Sequence, residues 1–361
     1  MSKIPFSPDE LKIVGNHVGP ASFGTYTKKY NTPISAKENF EAMFRRDGSV
    51  MWIPRGRDIL NLESRTNIDH IARGEVIDMG TPYTDDEKGG PDLFGIIWDY
   101  IPIAHGSMVR PGKPALLDAN DWPEVIKFPD IDALNWDECK KLNSCLNETE
   151  RVFKVTFQNG MFERLISFMD FEGAAMALID DDQKDAVHAL FSKLCDMYEA
   201  MITRYLECVN INGIMFHDDW GSQRAPFFSP AVVREMLVPY MSRLTKFCHD
   251  RGLWFEQHSC GKNEQLVPCM IEAGVDMWMP QVMNDVDMLR EQYGDKIVFG
   301  VTAPDIPEGA TDSDIDAMGK AFAEKYAPDM GTHPIVLSEY RTDPRFFEAV
   351  YKYSRQILAS I

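Results

Sequence analysis

The chain has 361 residues, of which 44% are hydrophobic and 26% are charged, a composition typical of a globular protein and far from that of disordered or collagen-like chains. Its 56 acidic residues outnumber 37 basic ones and give a formal net charge of -19, which disfavours nucleic acid as a partner. No run approaches the roughly 18 apolar residues of a membrane span, and the first residues do not resemble a signal peptide. We therefore expect a cytoplasmic protein that binds neither nucleic acid nor membrane.

Residues 1–150 are rich in Pro, Gly, Asp and aromatic side chains and contain one clear predicted helix, Ala36–Arg45. We predict that this segment is a loop-rich and helical N-terminal extension that contributes to the mouth of the following domain and covers it. An irregular surface layer, anchored by Trp and Phe but without a role in substrate binding, explains the same composition.

After residue 150, short apolar runs alternate with amphipathic helical runs, a pattern that predicts a parallel β-sheet buried on both faces. The predicted helices include Asp185–Cys208, a helix that starts after Ser229 and Pro230, and a last helix from Asp343 to Ile361. The predicted strands are Val152–Phe157, Gly213–His217, Leu253–His258, Val275–Met279, Ile297–Val301 and Pro334–Ser338.

Two further strands would complete an α/β TIM (β/α)8 barrel, with residues 151–361 as its main part. The predicted sources of these strands are Val50–Pro54 and the region 92–117. An open doubly wound sheet is the alternative. The sequence has neither the Gly-x-Gly-x-x-Gly fingerprint after a strand nor a P-loop, so nothing in it favours dinucleotide or nucleotide binding.

Polar residues follow the strand that ends at His217, where Asp218 and Asp219 come next. Catalytic residues of α/β barrels lie at the carboxyl ends of the strands. Alternation along a strand sends His217 and Asp219 to one side and Asp218 to the other. These three residues are candidates for general acid catalysis. For Asp219, a capping role at the start of the next segment explains its position equally well.

A second polar group ends the next strand, where Glu256, His258 and Cys260 are spaced two residues apart. If the strand continues to its end, all three side chains project to one face. Imidazole and thiolate together are zinc ligands, but a zinc site needs at least a third protein ligand. Cys269 within the following helix is better explained as a core residue, because buried free cysteines are common.

Other strand ends are also polar. Gln158 and Asn159 follow one strand, Gln281 follows another, and Ser338, Glu339, Tyr340 and Arg341 end the last one. A salt-bridged rim explains Glu339 and Arg341 as well as a functional site does.

Taken together, several motifs resemble the uroporphyrinogen decarboxylase superfamily, and the resemblance covers most of residues 150–361. The motifs are His217-Asp218-Asp219-Trp220-Gly221-Ser222-Gln223, Phe228-Ser229-Pro230, Val238-Pro239-Tyr240, His258-Ser259-Cys260-Gly261 and Ala273-Gly274-Val275-Asp276. The family fold is a TIM barrel. The superfamily contains porphyrinogen decarboxylases and corrinoid-dependent methyltransferases.

The methyltransferase branch is the more similar of the two. The Arg-Gln-Ala-Gly-Arg signature of the decarboxylases is broken here, where residues 52–58 read WIPRGRD. The segment Gly90–Gly95 with Trp98 resembles the subgroup that demethylates methoxylated aromatic compounds in anaerobic bacteria. The resemblance therefore implies an O-demethylase component, which moves a methyl group from a phenyl methyl ether to the cob(I)alamin of a separate corrinoid protein docked over the barrel mouth.

The resemblance implies roles for particular residues. It leaves the oligomeric state undecided, and a homodimer is possible. The expected catalytic residues are His217, Asp218, Asp219, Glu256 and His258, and the expected substrate-binding residues are Phe94, Trp98, Gln158, Gln281, Glu339 and Tyr340. Tyr100 and Trp122 are further aromatic residues of the same region.

Zinc is the point on which the sequence departs from part of the family. Members that methylate a thiol complete their zinc site with a Glu one strand later and a Cys near the last strand, where this chain has Gln281 and the pair Ser338 and Glu339. His258 and Cys260 thus form an incomplete ligand set, and the sequence favours acid-assisted ether cleavage over metal assistance. The alternatives are a zinc-dependent methylcobamide:thiol methyltransferase, a uroporphyrinogen decarboxylase-like enzyme and a non-catalytic corrinoid- or tetrapyrrole-binding relative.

Overall fold

The structure is a computed structural model that describes residues 4–17, 28–62, 65–74, 77–78, 81–338 and 343–361. Within these ranges, no helix combines the length and apolar character that crossing a membrane requires.

The strands and helices follow in chain order. The strands are β1 (Ile13–Asn16), β2 (Lys28–Tyr30), β3 (Ile59–Leu62), β4 (Ile77–Asp78), β5 (Thr81–Pro82), β6 (Gly90–Pro91), β7 (Ile97–Ile101), β8 (Gly106–Val109), β9 (Val152–Phe157), β10 (Gly213–His217), β11 (Trp254–His258), β12 (Met277–Trp278), β13 (Val298–Thr302) and β14 (Ile335–Ser338). The α-helices are α1 (Ala36–Arg45), α2 (Asp69–Arg73), α3 (Trp122–Val125), α4 (Trp136–Asn143), α5 (Met161–Ala177), α6 (Lys184–Cys208), α7 (Pro230–Met236), α8 (Val238–His249), α9 (Val267–Glu272), α10 (Val286–Tyr293), α11 (Asp312–Tyr326) and α12 (Pro344–Ser360).

A parallel sheet of seven strands, in the order β14-β13-β12-β11-β10-β9-β3, curves with the helices packed around it. Its two edges meet at one point, where Arg55 forms a parallel bridge with Leu337 and the Leu337 N–H donates to the Pro54 carbonyl at 2.8 Å. The predicted α/β barrel class is confirmed. All six strands predicted after residue 150 are present, with differences of one or two residues at their ends.

The two remaining strand predictions were wrong. The strand that residues 1–150 contribute to the barrel sheet is β3. The predicted segment Val50–Pro54 is not a strand, and the chain next to it contacts the sheet through the bridge between Arg55 and Leu337. Pro54 has no N–H for a ladder, and a 3-10 turn over Gly56–Asp58 separates it from β3. The region 92–117 contributes β7 and β8 to a separate antiparallel sheet, because its short connection reverses the chain, whereas parallel strands need a long crossover.

Local sequence signals explain many of the element boundaries. β9 is buried along its whole length, as expected for a strand of a parallel sheet covered on both faces, and this includes its two polar residues Lys154 and Thr156. α1 begins with a capping box in which Ser35 and Glu38 satisfy each other's backbone N–H groups. Ser229 caps α7, whose first residue is Pro230. These local signals determine where the helices begin, independently of the tertiary structure.

A buried ionic contact ties the N-terminal segment to the last helix. Arg355 in α12 donates to Glu10 from Nε and Nη2, each at 2.9 Å, and the Tyr351 hydroxyl donates to the same carboxylate at 2.7 Å. Burial opposes ionisation of Glu10, but the hydrogen bonds from Arg355 and Tyr351 outweigh it and lower its pKa.

We expect Glu10→Gln to destabilise the fold by about 3–5 kcal/mol at neutral pH, because Arg355 is left buried without its counter-charge. A carboxylate with a lowered folded-state pKa stabilises the fold above its unfolded pKa and loses that contribution as the pH falls through the folded value. The difference in unfolding free energy between wild type and Glu10→Gln, measured by urea denaturation, should therefore shrink below about pH 4. A difference that does not depend on pH would contradict this assignment.

Candidate metal centre

Four potential metal ligands meet at the carboxyl ends of β10 and β11. The ligand atoms of His217, Asp219, His258 and Cys260 all lie within 4.8 Å of one another. His217 and His258 are direct neighbours in the β10–β11 ladder, and their rings are 4.7 Å apart. Nε2 of His258 is 3.4 Å from Sγ of Cys260. This cluster occupies the end of the barrel at which such enzymes carry their active sites.

The surroundings of His217 orient its ring for metal binding. Its Nδ1 lies 2.8 Å from the Gln158 carbonyl oxygen, which fixes the proton on Nδ1 because a carbonyl only accepts. The Nε2 atom then faces the cluster and lies 3.3 Å from Oδ1 of Asp219. A hydrogen bond from the distal nitrogen to a backbone carbonyl is the usual support of a metal-binding histidine.

Cys260 is held from two sides. Its backbone N–H donates to Oδ1 of Asp219 at 2.6 Å, and Nε2 of Gln281 donates to its sulfur at 3.4 Å. Gln281 also accepts a hydrogen bond from the Gly261 N–H at 2.8 Å. Gly261 has a φ of 95° and packs against Gly221, whose carbonyl oxygen would lie 2.4 Å from a Cβ at this position. Only glycine therefore permits this turn.

The electrostatics of the cluster leave two groups in the form that binds a metal. Burial lowers the pKa of His258 to about 3, and the charge of His217 adds to this effect, so His258 is neutral. Burial opposes protonation of His217, but the hydrogen bonds to Asp219 and Cys260 raise its pKa above the ordinary value. Burial opposes ionisation of Asp219 as well, but its hydrogen bond with His217 lowers its pKa, so Asp219 is ionised. Burial raises the pKa of the Cys260 thiol.

Asp218 points away from the cluster. Its carboxylate accepts hydrogen bonds from the Glu163 N–H at 2.9 Å and from Nε1 of Trp220 at 2.8 Å. Burial raises its pKa to about 7. The Glu163 N–H belongs to the first turn of α5, so Asp218 joins that turn to the end of β10. Gly160 lies against this carboxyl group, and a Cβ there would be 2.4 Å from Cβ of Asp218.

Glu256 lies outside the group of four ligands. It is 2% exposed and forms an ion pair with Lys154 of β9, which also contacts Sδ of Met215 at 3.5 Å. Because Glu256 precedes His258 by two residues on the same side of β11, this pair lies deeper in the barrel than the cluster. The expected catalytic role of Glu256 has no support from this geometry.

The predicted substrate-binding residues lie in different settings. Phe94 packs edge-on between Phe128 and Phe168, with ring centroids 5.2 and 5.0 Å away. Trp98 is 3% exposed, and its Nε1 donates to Asp92 at 3.0 Å. Gln158 is buried and touches the cluster through its backbone carbonyl. Gln281 lies against Cys260 and donates to its sulfur. The predicted residues Glu339 and Tyr340, with Arg341, lie outside the described residues.

The sequence did not predict the ion pair between Arg73 and Glu163 that lies next to His217. Arg73 of α2 donates from Nη1 to Glu163 at 2.8 Å and to Asn159 at 3.3 Å, and its Nη2 lies 3.2 Å from Nδ1 of His217. Its guanidinium carbon lies 4.7 Å from the centre of the Trp98 ring. Arg73 precedes His217 by 144 residues, and no local pattern in the sequence connects them.

Arg164 holds α2, the helix that carries Arg73, in place. It is fully buried and forms ion pairs with Asp69 of α2 and with Asp92, which lies beside β7. Asp92 is also the acceptor for Trp98, so Arg164 fixes both α2 and the small antiparallel sheet against α5.

The structure brings two further potential ligands to the pair that the sequence indicated. His217 and Asp219, which the sequence predicts as acid catalysts, come from the end of the preceding strand and lie beside His258 and Cys260. Two imidazole nitrogens, a cysteine sulfur and a carboxylate oxygen are donor types that zinc accepts, and four donors match its tetrahedral preference. The same four groups also permit an open position if one of them is displaced.

Comparison with known proteins supports the fold. A methyltransferase from Methanosarcina mazei matches 95% of this chain and 94% of its own chain at 13% identity, with a TM-score of 0.51. The 3-keto-D-glucoside 4-epimerase from E. coli (12% identity, 68% of this chain and 88% of that chain, TM-score 0.33) and a chitinase from Chromobacterium violaceum (11%, 66% and 88%, TM-score 0.34) also match. The last two alignments are too loose to support a conclusion. No family model and no curated sequence matches the chain.

Proposed function

We propose that this protein is a methyltransferase that moves the methyl group of a methoxylated aromatic compound to the corrinoid of a separate protein. The observation that carries the proposal is the group His217, Asp219, His258 and Cys260 at the mouth of the barrel. The sequence resemblance to corrinoid-dependent methyltransferases supports it, as does the similar fold of the methyltransferase from Methanosarcina mazei.

In this proposal, the four residues hold a zinc ion. The chemistry of the donors fits, because His258 is neutral, Asp219 is ionised, and Nε2 of His217 faces the cluster. Gln281 donates to the sulfur of Cys260, a contact that would hold this sulfur in place as a metal ligand. A bound zinc ion would supply Lewis acidity to the ether oxygen, which becomes a phenolate when the methyl group leaves.

The chain's own residues position the reacting groups. The Gln158 carbonyl fixes the tautomer of His217, and Asp218 joins the end of β10 to the first turn of α5. Asp218 has no access to the cluster side of β10, so we do not assign it the proton donation that the sequence suggested. His217 and Asp219 become ligands instead of acids, and metal assistance replaces acid assistance as the preferred mechanism.

A thiol methyltransferase is the second candidate, because a complete ligand set is what such an enzyme needs to activate a thiol. The two candidates differ in the substrate that meets the metal: a phenyl methyl ether as methyl donor, or a thiol as methyl acceptor from a methylated corrinoid.

The test combines metal analysis of the purified protein with two assays. One assay follows methyl transfer from a panel of methoxyphenols and methoxybenzoates to reduced cobalamin, and the other follows methyl transfer from methylcobalamin to thiols. We expect about one zinc per chain, activity in the first assay, and loss of that activity on chelation with recovery on zinc addition. Activity in the second assay alone would select the thiol candidate. Full activity of a metal-free protein would contradict the metal assignment.

A further inference from the structure

Arg73 brings a guanidinium group to the four-ligand cluster, where its Nη2 lies 3.2 Å from Nδ1 of His217. Its guanidinium group is clamped, with Glu163 and Asn159 on Nη1 and the ring of Trp98 on its face. The side chain is 14% exposed, so it is neither freely mobile nor fully enclosed. Such a clamp fixes the direction of its N–H groups before any ligand binds.

Several of these N–H groups have no acceptor in the described part of the chain. Nδ1 of His217 donates to the Gln158 carbonyl at 2.8 Å, so it does not accept from Nη2 of Arg73 at 3.2 Å. Nε of Arg73 has no hydrogen bond to a described residue either. The ion pair with Glu163 accounts for one edge of the guanidinium and leaves the edge beside His217 with unused donors.

We propose that Arg73 binds the oxygen atom from which the methyl group departs, so that the site prefers donors whose leaving group is an oxyanion. This inference rests on the proposed function. The bond between the methyl carbon and the ether oxygen breaks, the methyl group passes to the corrinoid acceptor, and the electron pair stays on the oxygen. Arg73 donates hydrogen bonds to the resulting phenolate, which takes a proton from water after release. Arg73 is thus a catalytic residue that acts beside the metal.

The first experiment needs no turnover. A nitrophenol such as 4-nitroguaiacol is titrated into wild type, Arg73→Met and Arg73→Lys, and binding of its ionised form is followed by absorbance, with methoxybenzene as the neutral ligand. We expect Arg73→Met to weaken binding of the ionised nitrophenol about 10- to 100-fold, as for lost hydrogen bonds to a charged group, and to leave binding of methoxybenzene within about 2-fold. Arg73→Lys should recover part of the loss, since it keeps the charge without the fork.

Arg110→Met is the matched control, because Arg110 pairs with Asp99 and its side chain is 53% exposed. It should bind both ligands like wild type. Equal weakening of ionised and neutral ligands in Arg73→Met, or a zinc content well below that of wild type, would show that Arg73 only supports the fold or the cluster.

The second experiment measures methyl transfer from methoxybenzenes whose leaving phenols differ in pKa. We expect the rate of Arg73→Met to fall more steeply as the pKa of the phenol rises, because the leaving oxygen loses a charge partner. An unchanged slope would overturn the inference and leave the methyltransferase proposal intact. If ionised nitrophenol binding depends on Arg73 but no donor is demethylated, the proposed function fails and the oxyanion site remains.

Discussion

Under the proposed function, replacing Cys260 by serine is expected to remove most of the zinc and to lower the methyl transfer rate by about 10³-fold. A hydroxyl is a far poorer zinc ligand than a thiolate. The rate factor corresponds to about 4 kcal/mol, the order of charge stabilisation that a Lewis acid gives to a leaving oxygen. His258→Ala should have the same two effects, because its ring belongs to the same cluster. Zinc content by metal analysis and the rate with a methoxyphenol donor are the two measurements.

Two variants sharpen this test. Cys269→Ser makes the same chemical change in α9, where the thiol is buried away from the cluster, and should retain zinc and activity. Gln281→Leu removes the hydrogen bond to the sulfur of Cys260 but keeps all four ligands, and should weaken zinc binding about 10- to 100-fold. If Cys260→Ser keeps one zinc per chain, the cluster is not the metal site. If it loses zinc but keeps its rate, the metal has no part in methyl transfer.

Arg164→Met is the substitution for which we expect the largest loss of stability. The guanidinium is fully buried between Asp69 and Asp92, so its removal leaves two carboxylates in a low-dielectric environment without a counter-charge. Removing one partner of a buried ion pair costs about 3–5 kcal/mol, and this substitution affects two pairs. Burial already raises the pKa of Asp92, so the carboxyl group is expected to take up a proton when Arg164 is absent.

Urea denaturation of Arg164→Met at neutral and mildly acidic pH measures this effect. Stability should recover in part as the pH falls, because protonation of the two carboxyl groups removes the unpaired charge. Arg243→Met is a suitable control: its ion pairs with Asp196 and Glu199 are partly exposed, and we expect a loss of no more than about 1 kcal/mol. A stability of Arg164→Met close to that of wild type would contradict the role assigned to this ion pair.

Activity is also expected to fall in Arg164→Met. Asp69 lies in the same helix as Arg73, and Asp92 accepts from Trp98, so the substitution loosens both groups that hold the guanidinium of Arg73. Binding of ionised nitrophenol, measured under conditions where the variant is folded, should therefore weaken along with stability.

Part of the site was accessible from the sequence because it depends on local geometry. Alternation along a strand separates Asp218 from His217 and Asp219, and in the structure Asp218 faces α5 while the other two face the cluster. The proximity of His258 and Cys260 follows from their spacing at a strand end. What the sequence did not provide is the register between β10 and β11, which pairs His217 with His258 and brings the four potential ligands together.

The remaining site residues meet through contacts between distant parts of the chain. Arg73 and Glu163 are 90 residues apart, and Arg164 and Asp69 are 95 residues apart. No periodicity or capping pattern specifies such pairs, since each side chain only requires some partner of opposite charge once it is buried. The antiparallel arrangement of 92–117 was missed for a related reason: short apolar runs are compatible with either sheet, and the turn between them decides the direction.

The sequence by itself determined the α/β class, the six strands after residue 150 and the main helices, because buried parallel strands are continuous apolar runs and helix ends carry local caps. The tertiary structure alone decided that His217 and Asp219 join His258 and Cys260, that Glu256 pairs with Lys154, and that Arg73 lies against His217. Strand register and the packing of the N-terminal segment set these contacts. Both depend on how much apolar surface all elements bury together, which no single segment specifies.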